Sequence, residues 1–242
     1  MNIKRMLIMA SIVTVMCTAC SNKENQTEGA TATQEENASA KENEQPAQTE
    51  NAEQNNKDVE VTKDNFRDFP VSDESIFGFD VVDDGIEVGG CKRDVADKVI
   101  VVPETVNGKK VVSIGFGAFT ELENVEAIVL PDSVTRIGES AFTNCEKLKF
   151  IYLGKGLKTT GNMTFNSCTA LKEIELPEGM TTMTGVFVFG CSSLEVITVP
   201  ATVEDVGIGV VSSKEFNGVI RTPAGSAAEK YALEHGIKVE NY

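Results

Sequence analysis

Residues 134–156 read VTRIGESAFTNCEKLKFIYLGKG, and three other segments of the chain repeat the same spacing of apolar, glycine and aromatic residues. Those segments begin at Val111, Leu157 and Met180, so the period is 23 residues and the alignment needs no gap. A degenerate fifth unit begins at Val203. A constant period of roughly 20–50 residues predicts a solenoid, in which each unit buries its apolar face against its neighbours.

Each column of the repeat has a physical role. Val125-x-x-Ile128-x-Leu130 and its equivalents predict a strand, and Pro131 ends it because proline cannot donate to a strand ladder. Glycine occupies the fifth position of every unit except the fourth, where Thr184 stands, and predicts a tight turn that needs a permissive backbone. Two further columns are apolar, the ninth (Phe119, Phe142, Phe165, Val188) and the twelfth (Leu122, Cys145, Cys168, Cys191).

This pattern resembles that of the BspA-like leucine-rich-repeat proteins of bacteria, whose unit reads approximately L-x-x-I-x-L-P-x-x-V-x-x-I-G-x-x-A-F-x-x-C. Residues 134–153, VTRIGESAFTNCEKLKFIYL, match that unit closely, and the resemblance covers roughly residues 75–242. The resemblance implies surface display and protein binding, often in adhesion.

The expected fold is therefore a repeat solenoid, a short leucine-rich-repeat β-solenoid or horseshoe with 23-residue units. Residues 111–222 are predicted to form the repeats. Residues 59–110 are predicted to form an N-terminal β cap, with a hairpin turn at Asp83-Asp84-Gly85, because the end of a solenoid exposes its core. Residues 223–242 are predicted to form a helix-strand cap whose helix begins at the capping box Ser226–Glu229.

Residues 1–19 are typical of a lipoprotein signal peptide. Basic residues at positions 4 and 5 precede an apolar run over residues 7–16, which is too short to span a bilayer core of about 30 Å. The segment Cys17-Thr18-Ala19-Cys20 resembles a lipobox, with Cys17 where leucine is usual. We expect cleavage before Cys20, acylation of its thiol, and display on the extracellular face of the cell membrane through this lipid anchor.

Residues 20–58 are predicted to be a lipidated cysteine followed by a disordered acidic tether. After Cys20 the stretch holds no apolar residue larger than alanine, so it cannot bury enough surface to offset the entropy lost on ordering. A flexible coil of that length has a root-mean-square reach of about 35 Å.

The composition disfavours several kinds of partner and chemistry. A net charge of −15 argues against nucleic acid, which needs a basic patch. Cysteines one repeat apart form a column and do not converge on a metal ion, and the single histidine, His235, has no nucleophile in register. We therefore expect no enzyme activity, no cofactor and no metal. The redox state of Cys91 and of the three column cysteines stays open.

The open face of the predicted sheet is the candidate binding surface. Positions seventeen and nineteen alternate with the buried Ile and Leu and so project outwards. Phe150 and Tyr152 put two aromatic side chains on one exposed strand, which is typical of an interaction site, and acidic residues lie about 5 Å away on the next one. The alternative is that both rings pack on neighbouring side chains or face a longer loop. The candidate binding residues are Phe150, Tyr152, Glu173, Glu175, Val196 and Thr198.

Three functional hypotheses remain open at the level of sequence. The first is an adhesion-type module that binds an unknown protein or other cell-surface macromolecule through the open face. The second is a structural envelope lipoprotein without an external ligand. The third is a glycan or solute receptor, which needs a deep pocket lined by aromatic side chains, and the chain has no tryptophan.

The lipid anchor can be tested by cell fractionation. We expect Cys20→Ala to move the protein from the membrane fraction to the aqueous fraction, because no acyl chain can then be attached. Cys17→Leu is the matched control: it restores the usual lipobox residue and should leave the protein with the membrane. Retention of Cys20→Ala in the membrane fraction would refute the assignment.

Overall fold

The structure is a computed structural model, and it describes residues 59–183, 185–207, 211 and 216–242. The predicted signal peptide, acylation site and tether lie outside these residues. Within the described part, no helix has the length and apolar character that a bilayer crossing requires.

The described chain consists of short strands and one α-helix, α1 (Ala227–Glu234), with a 3-10 helix at Glu74–Ile76. The strands in chain order are β1 (Phe77–Val82), β2 (Gly85–Cys91), β3 (Val99–Val101), β4 (Thr105–Val106), β5 (Lys109–Ile114), β6 (Ala127–Val129), β7 (Arg136–Ile137), β8 (Phe150–Tyr152), β9 (Thr159–Thr160), β10 (Phe165–Asn166), β11 (Glu173–Glu175), β12 (Thr182–Met183), β13 (Val188–Phe189), β14 (Val196–Thr198), β15 (Asp205–Val206), β16 (Val219–Thr222) and β17 (Lys238–Asn241).

Each repeat unit forms one coil of a β-solenoid, which confirms the predicted fold. The strands β3, β6, β8, β11, β14, β16 and β17 follow one another along one side, called here the front stack. Pairing within β3-β6-β8 and within β11-β14-β16-β17 is parallel, and partners in successive repeat units are 23 residues apart, as Ala127 is from Phe150 and Glu173 from Val196. A back stack contains β5, β7 and β9, and β10 pairs with β13 on a third side.

The ninth column forms an aromatic stack inside the solenoid. The rings of Phe119, Phe142 and Phe165 are fully buried, with centroids 5.5 and 5.1 Å apart and planes within 10° of parallel. In the fourth unit the next ring is Phe187, which meets Phe165 edge-on at 5.3 Å. The strand register pairs Val188 with Phe165, as the alignment predicts, and the ring that contacts Phe165 comes from its larger neighbour Phe187.

The column cysteines combine burial with a repeated hydrogen bond. All four described cysteines are free thiols. Burial raises the pKa of Cys145 to about 11 and that of Cys91 to about 12, so both are protonated. Each column thiol donates to a phenylalanine carbonyl of the preceding coil: Cys145 to Phe119 at 2.8 Å, Cys168 to Phe142 at 2.9 Å, and Cys191 to Phe165 at 3.6 Å.

The fifth-column glycines serve close approach between coils, and the predicted role in turn flexibility is wrong. Gly115, Gly138 and Gly161 do not adopt positive φ. A Cβ on Gly138 would lie 2.7–2.8 Å from backbone atoms of the preceding coil. Positive φ is instead adopted by non-glycine residues of the neighbouring bends, among them Ser140 (57°) and Met163 (52°).

Both ends of the solenoid are capped, as the sequence predicts. At the N-terminal end, β1 and β2 form an antiparallel hairpin, and β2 continues in parallel onto β5. At the C-terminal end, Ser226 caps α1 by accepting from the Glu229 N–H at 3.1 Å. His235 ends the helix with its Nδ1 2.8 Å from the Tyr231 carbonyl. β17 then pairs with β16 and extends the front stack.

The close approach of the coils can be tested at Gly138. We expect Gly138→Ala to lower the free energy of unfolding by about 2–3 kcal/mol, because the added methyl group meets backbone that cannot move aside. Gly90→Ala is the matched control: a Cβ there would meet nothing within 4 Å, so its effect should stay within about 0.5 kcal/mol. Equal denaturation midpoints for the two variants would contradict this reading.

Candidate binding face

The outward side of the front stack, called here the front face, carries the candidate residues. The central isoleucines of its strands point into the core: Ile128 and Ile197 are fully buried and Ile174 nearly so. The residues on either side of each isoleucine therefore project outwards, since side chains alternate along a strand. Along the front face these residues are apolar at the N-terminal end, and from β11 onwards they mix carboxylates, cations, hydroxyls and small apolar side chains.

A segment that precedes the first strand lies across the N-terminal half of the front face. This segment, residues 59–69, is called here the strap. Its Val61 and Phe66 are buried against Val99 and Ala127, in an apolar cluster separate from the solenoid core. The ring of Phe66 stacks on Phe150, with centroids 5.5 Å apart and planes 20° from parallel.

The strap is held in a compact turn by its own hydrogen bonds. The Asn65 side chain accepts from the Thr62 N–H at 2.9 Å and donates to the Glu60 carbonyl at 3.0 Å. The Phe66 N–H donates to the Thr62 carbonyl at 3.1 Å. These contacts fix the direction in which Phe66 points.

Two cationic side chains of the strap contact residues in the middle of the front face. The ammonium of Lys63 forms an ion pair with Glu173, at 2.5 Å from Oε1. The guanidinium of Arg67 lies over the Tyr152 ring, 5.2 Å from its centroid. Cations over aromatic rings are attracted by the negative face of the ring.

The strap divides the predicted binding residues into two groups. Phe150 and Tyr152 are half-buried beneath it. The prediction that both rings are exposed is therefore wrong, and the alternative, that they pack on neighbouring side chains, is the one found. Beyond the strap, Glu175 is exposed, and Glu173, Val196 and Thr198 are half-exposed. The uncovered part of the front face therefore begins at β11.

A slot opens where the covered and uncovered parts of the front face meet. β8 and β11 are consecutive strands of the front stack, yet they belong to separate sheets and no backbone hydrogen bond joins them. The slot encloses about 480 Å³. Five of the six predicted residues line it, namely Phe150, Tyr152, Glu173, Glu175 and Thr198. Strap residues Lys63, Phe66 and Arg67 and the distant Tyr242 also line it.

The end of β8 differs from the other repeat strands. Units one, three and four carry proline after the strand, whereas unit two carries Gly154. Gly154 adopts a φ of 74°, and a side chain there would collide with the backbone of Pro131 in the preceding coil. β8 is thus held close to β6, on the side away from the slot. The coils stay joined beside the slot, where the Ala170 N–H donates to the Glu146 carbonyl at 3.2 Å.

Tyr152 is fixed as a neutral donor at one wall of the slot. Its hydroxyl donates to Asp132 at 2.7 Å, and Asp132 also accepts from the Lys155 N–H at 2.9 Å. These bonds lower the pKa of Asp132. Burial, and then the Asp132 carboxylate, raise the pKa of Tyr152 to about 12. On the opposite side, burial and the carboxylates of Glu178 and Glu175 raise the pKa of Tyr242.

The residues of the strap are the ones that the sequence analysis missed. The first large apolar side chains after the polar stretch 21–58 are those of Val59, Val61, Phe66 and Phe69, and that change in composition was the available signal. Their spacing matches no column of the repeat, so periodicity could not place them. In the described part of the chain, no group of three or more potential metal ligands comes together.

The fold and the face define a class of repeat protein, a β-solenoid of leucine-rich coils. Residues 101–216 match, in six copies, the family model described as BspA type leucine rich repeat region. Over this part of the chain, just under half of its length, the protein is similar to the BspA-type leucine-rich-repeat proteins. A comparison with curated proteins returns no significant match.

Two solved structures share this architecture. The leucine rich repeat protein of T. pallidum is 25% identical with a TM-score of 0.55, over 63% of this chain and 71% of that one. A leucine rich cell surface protein from Faecalibacterium prausnitzii A2-165 is 26% identical with a TM-score of 0.52, over 64% of this chain. The match spans 40% of the Faecalibacterium protein.

The attachment of the strap can be tested by limited proteolysis. Trypsin cleaves after Lys63 and Arg67, both of which are exposed within the strap. We expect Phe66→Ala to speed cleavage there by about tenfold or more, because opening no longer costs the burial of this ring and its stack on Phe150. The matched control is Phe116→Ala, whose ring is 75% exposed and remote in sequence.

The global unfolding midpoint should change little in Phe66→Ala, because the strap cluster is separate from the solenoid core. Cleavage at the parent rate would show that Phe66 does not hold the strap.

Proposed function

We propose that the protein is a surface-displayed binding module of the adhesion type, which captures a protein of another cell or of the surrounding matrix. The binding surface is the uncovered front face from β11 onwards together with the slot at its border. The observation that carries this proposal is the strap. It covers the apolar N-terminal half of the front face and leaves the half that carries charged and polar side chains open.

The uncovered front face has the features of a polar protein interface. Its outward residues include carboxylates at Glu173 and Glu175, a hydroxyl at Thr198 and a small apolar side chain at Val196. Half-exposed apolar groups among polar ones resemble the mixed composition of non-obligate interfaces. The parallel ladders hold these side chains at fixed spacing, so a partner meets a rigid surface and little ordering entropy is lost.

Location supports the same proposal. The Faecalibacterium protein that shares the fold is described as a cell surface protein. Residues 1–20 of this chain carry the features of an export signal followed by an acylated cysteine. We infer that the mature protein is held to the outer side of the cell membrane by lipid on Cys20, with residues 21–58 as a spacer.

A receptor for a small solute or a glycan is the second candidate. The slot encloses about 480 Å³, within the range of about 300–1,000 Å³ found for small-molecule sites. Four aromatic rings line it, those of Phe66, Phe150, Tyr152 and Tyr242. Phe66 and Phe150 cover each other, however, and Arg67 lies over Tyr152, so Tyr242 is the least covered of the four rings for stacking on a sugar.

The proposal is tested by direct capture with the chain lacking residues 1–19 and carrying Cys20→Ser, which keeps it in aqueous solution. Immobilised on beads, it should retain protein from extracts of cell surfaces and extracellular matrix, and trypsin treatment of the extract should abolish capture. Thr198→Arg should reduce capture at least tenfold, because a long cation then fills the uncovered front face. Thr159→Arg, on an exposed position of the back stack, is the matched control and should leave capture unchanged.

Two outcomes would overturn the proposal. Equal capture by Thr198→Arg and the parent would remove the front face as the binding surface. Absence of any captured protein would favour the purely structural lipoprotein, whereas capture that survives trypsin but not glycosidases would favour the glycan receptor.

A further inference from the structure

The slot between β8 and β11 presents peptide groups that no strand satisfies. In a parallel ladder, the peptide groups of successive residues point to opposite neighbours. The Phe150 N–H donates to the Glu126 carbonyl at 3.2 Å, and the Tyr152 carbonyl accepts from the Leu130 N–H at 2.9 Å. Both residues thus bond towards β6, and the N–H and carbonyl of Ile151 between them point into the slot.

The opposite wall is arranged in the same way. The Leu176 N–H donates to the Thr198 carbonyl at 3.0 Å, and the Lys172 carbonyl accepts from the next coil, so both residues bond away from the slot. The peptide groups of Glu173 and Glu175 therefore face β8 across the gap. Peptide groups left without partners in a partly apolar site favour a ligand that carries donors and acceptors of its own.

The charges around the slot are paired on one side and free on the other. Lys63 is paired with Glu173, and Lys155 lies 4.0 Å from Asp132. Glu178 lines the slot beside Glu175, and in the described part of the chain neither carboxylate has an ion pair or hydrogen bond.

Arg67 is the remaining cation of the lining, and its guanidinium is occupied by the Tyr152 ring. The neutral ring leaves the charge of Arg67 in place, so the two carboxylates of Glu175 and Glu178 outweigh it and the lining groups without an ion pair carry a net charge of −1.

The floor of the slot is apolar and long enough for an aliphatic chain. Ile151, Leu153 and Leu176 line its depth, and Ile151 retains 9% exposure, whereas the equivalent Ile128 and Ile197 have none. An arginine or lysine side chain combines an aliphatic stem with a cationic end, so it matches an apolar floor that leads to carboxylates.

We propose that the slot binds an arginine or lysine side chain of a partner protein, with the stem over Ile151 and Leu176 and the cation on Glu175 and Glu178. The adjoining peptide of the partner bonds to the peptide groups that β8 and β11 leave free. This inference deepens the proposed function and rests on it for the identity of the partner as a protein. The stated chemistry, however, can be measured without knowing that partner.

The test uses two capped peptides, acetyl-Val-Arg-Val-amide and its citrulline counterpart, which has nearly the same shape without the charge. Binding to the soluble chain described above is measured by calorimetry and by amide chemical shifts in NMR spectra. We expect the arginine peptide to bind at least about tenfold more tightly and to shift the amides of Ile151, Glu173 and Glu175.

Two pairs of charge-removing substitutions identify the carboxylates. Glu175→Gln with Glu178→Gln should lower the affinity for the arginine peptide about tenfold and leave that for the citrulline peptide unchanged. Glu195→Gln with Glu204→Gln removes the same charge from exposed positions outside the slot lining and should preserve the preference.

The results separate this inference from the proposed function. Equal affinities for the two peptides, no binding of either, or shifts confined to other surfaces would overturn the inference. Chitotriose that shifts the slot amides where the peptides do not would make it a saccharide site. Protein capture that is lost in Thr198→Arg but kept in the Glu175→Gln, Glu178→Gln variant leaves the proposed function standing and removes the slot. Peptide binding without any protein capture would support the slot as a site for a cationic side chain and overturn the proposed function.

Discussion

Stacking of each side chain on its counterpart in the next coil is the interaction on which the whole structure depends. Phe119, Phe142 and Phe165 lie nearly parallel at 5.1–5.5 Å, and repeat strands within each front sheet pair residue for residue at a separation of 23. Since each coil contacts only its neighbours, an error in one column is not compensated from elsewhere in the chain. The same stacking brings glycine backbones together at Gly138 and lets buried thiols reach the carbonyls of the preceding coil. Core packing, thiol hydrogen bonds and strand register therefore have one cause.

That dependence explains how much of the fold was readable in the sequence. A period of 23 without gaps fixes which residues share a column, so the strand register, the caps and the outward direction of Glu175 and Thr198 could be predicted. The reason for glycine in the fifth column could not be predicted, because a sequence shows that a side chain is excluded there but does not show which neighbouring atoms exclude it. In unit four the register keeps Val188 opposite Phe165, and the use of the adjacent Phe187 as the buried ring was likewise invisible to alignment.

The sequence identified which residues face outwards at the candidate site, but it did not predict the strap that covers part of the site or the slot at its border. Alternation along the strands identified Phe150 and Tyr152 as outward-facing, yet the segment that covers them belongs to no repeat and has no periodic signal. The slot depends on a broken ladder between two coils whose sequences both match the repeat. In the sequence, β8, which borders the slot, differs from the other repeat strands in being followed by Gly154 where they are followed by proline. The candidate binding surface thus arises where the chain departs locally from the repeat, whereas the repeated columns themselves specify packing.

The strap also determines how the fold responds to tension. It is the first described segment of the chain, so a pull transmitted from residues upstream enters at Val59 and loads the strap before any ladder. Its contacts with the front face, through Val61, Lys63 and Phe66, lie one after another along the strap. Contacts that are loaded one after another break one at a time. They therefore break at a lower force than strands whose hydrogen bonds must all break together. A pull on the chain would therefore peel the strap, uncover Phe150 and Tyr152, and enlarge the apolar part of the front face while the solenoid stays intact.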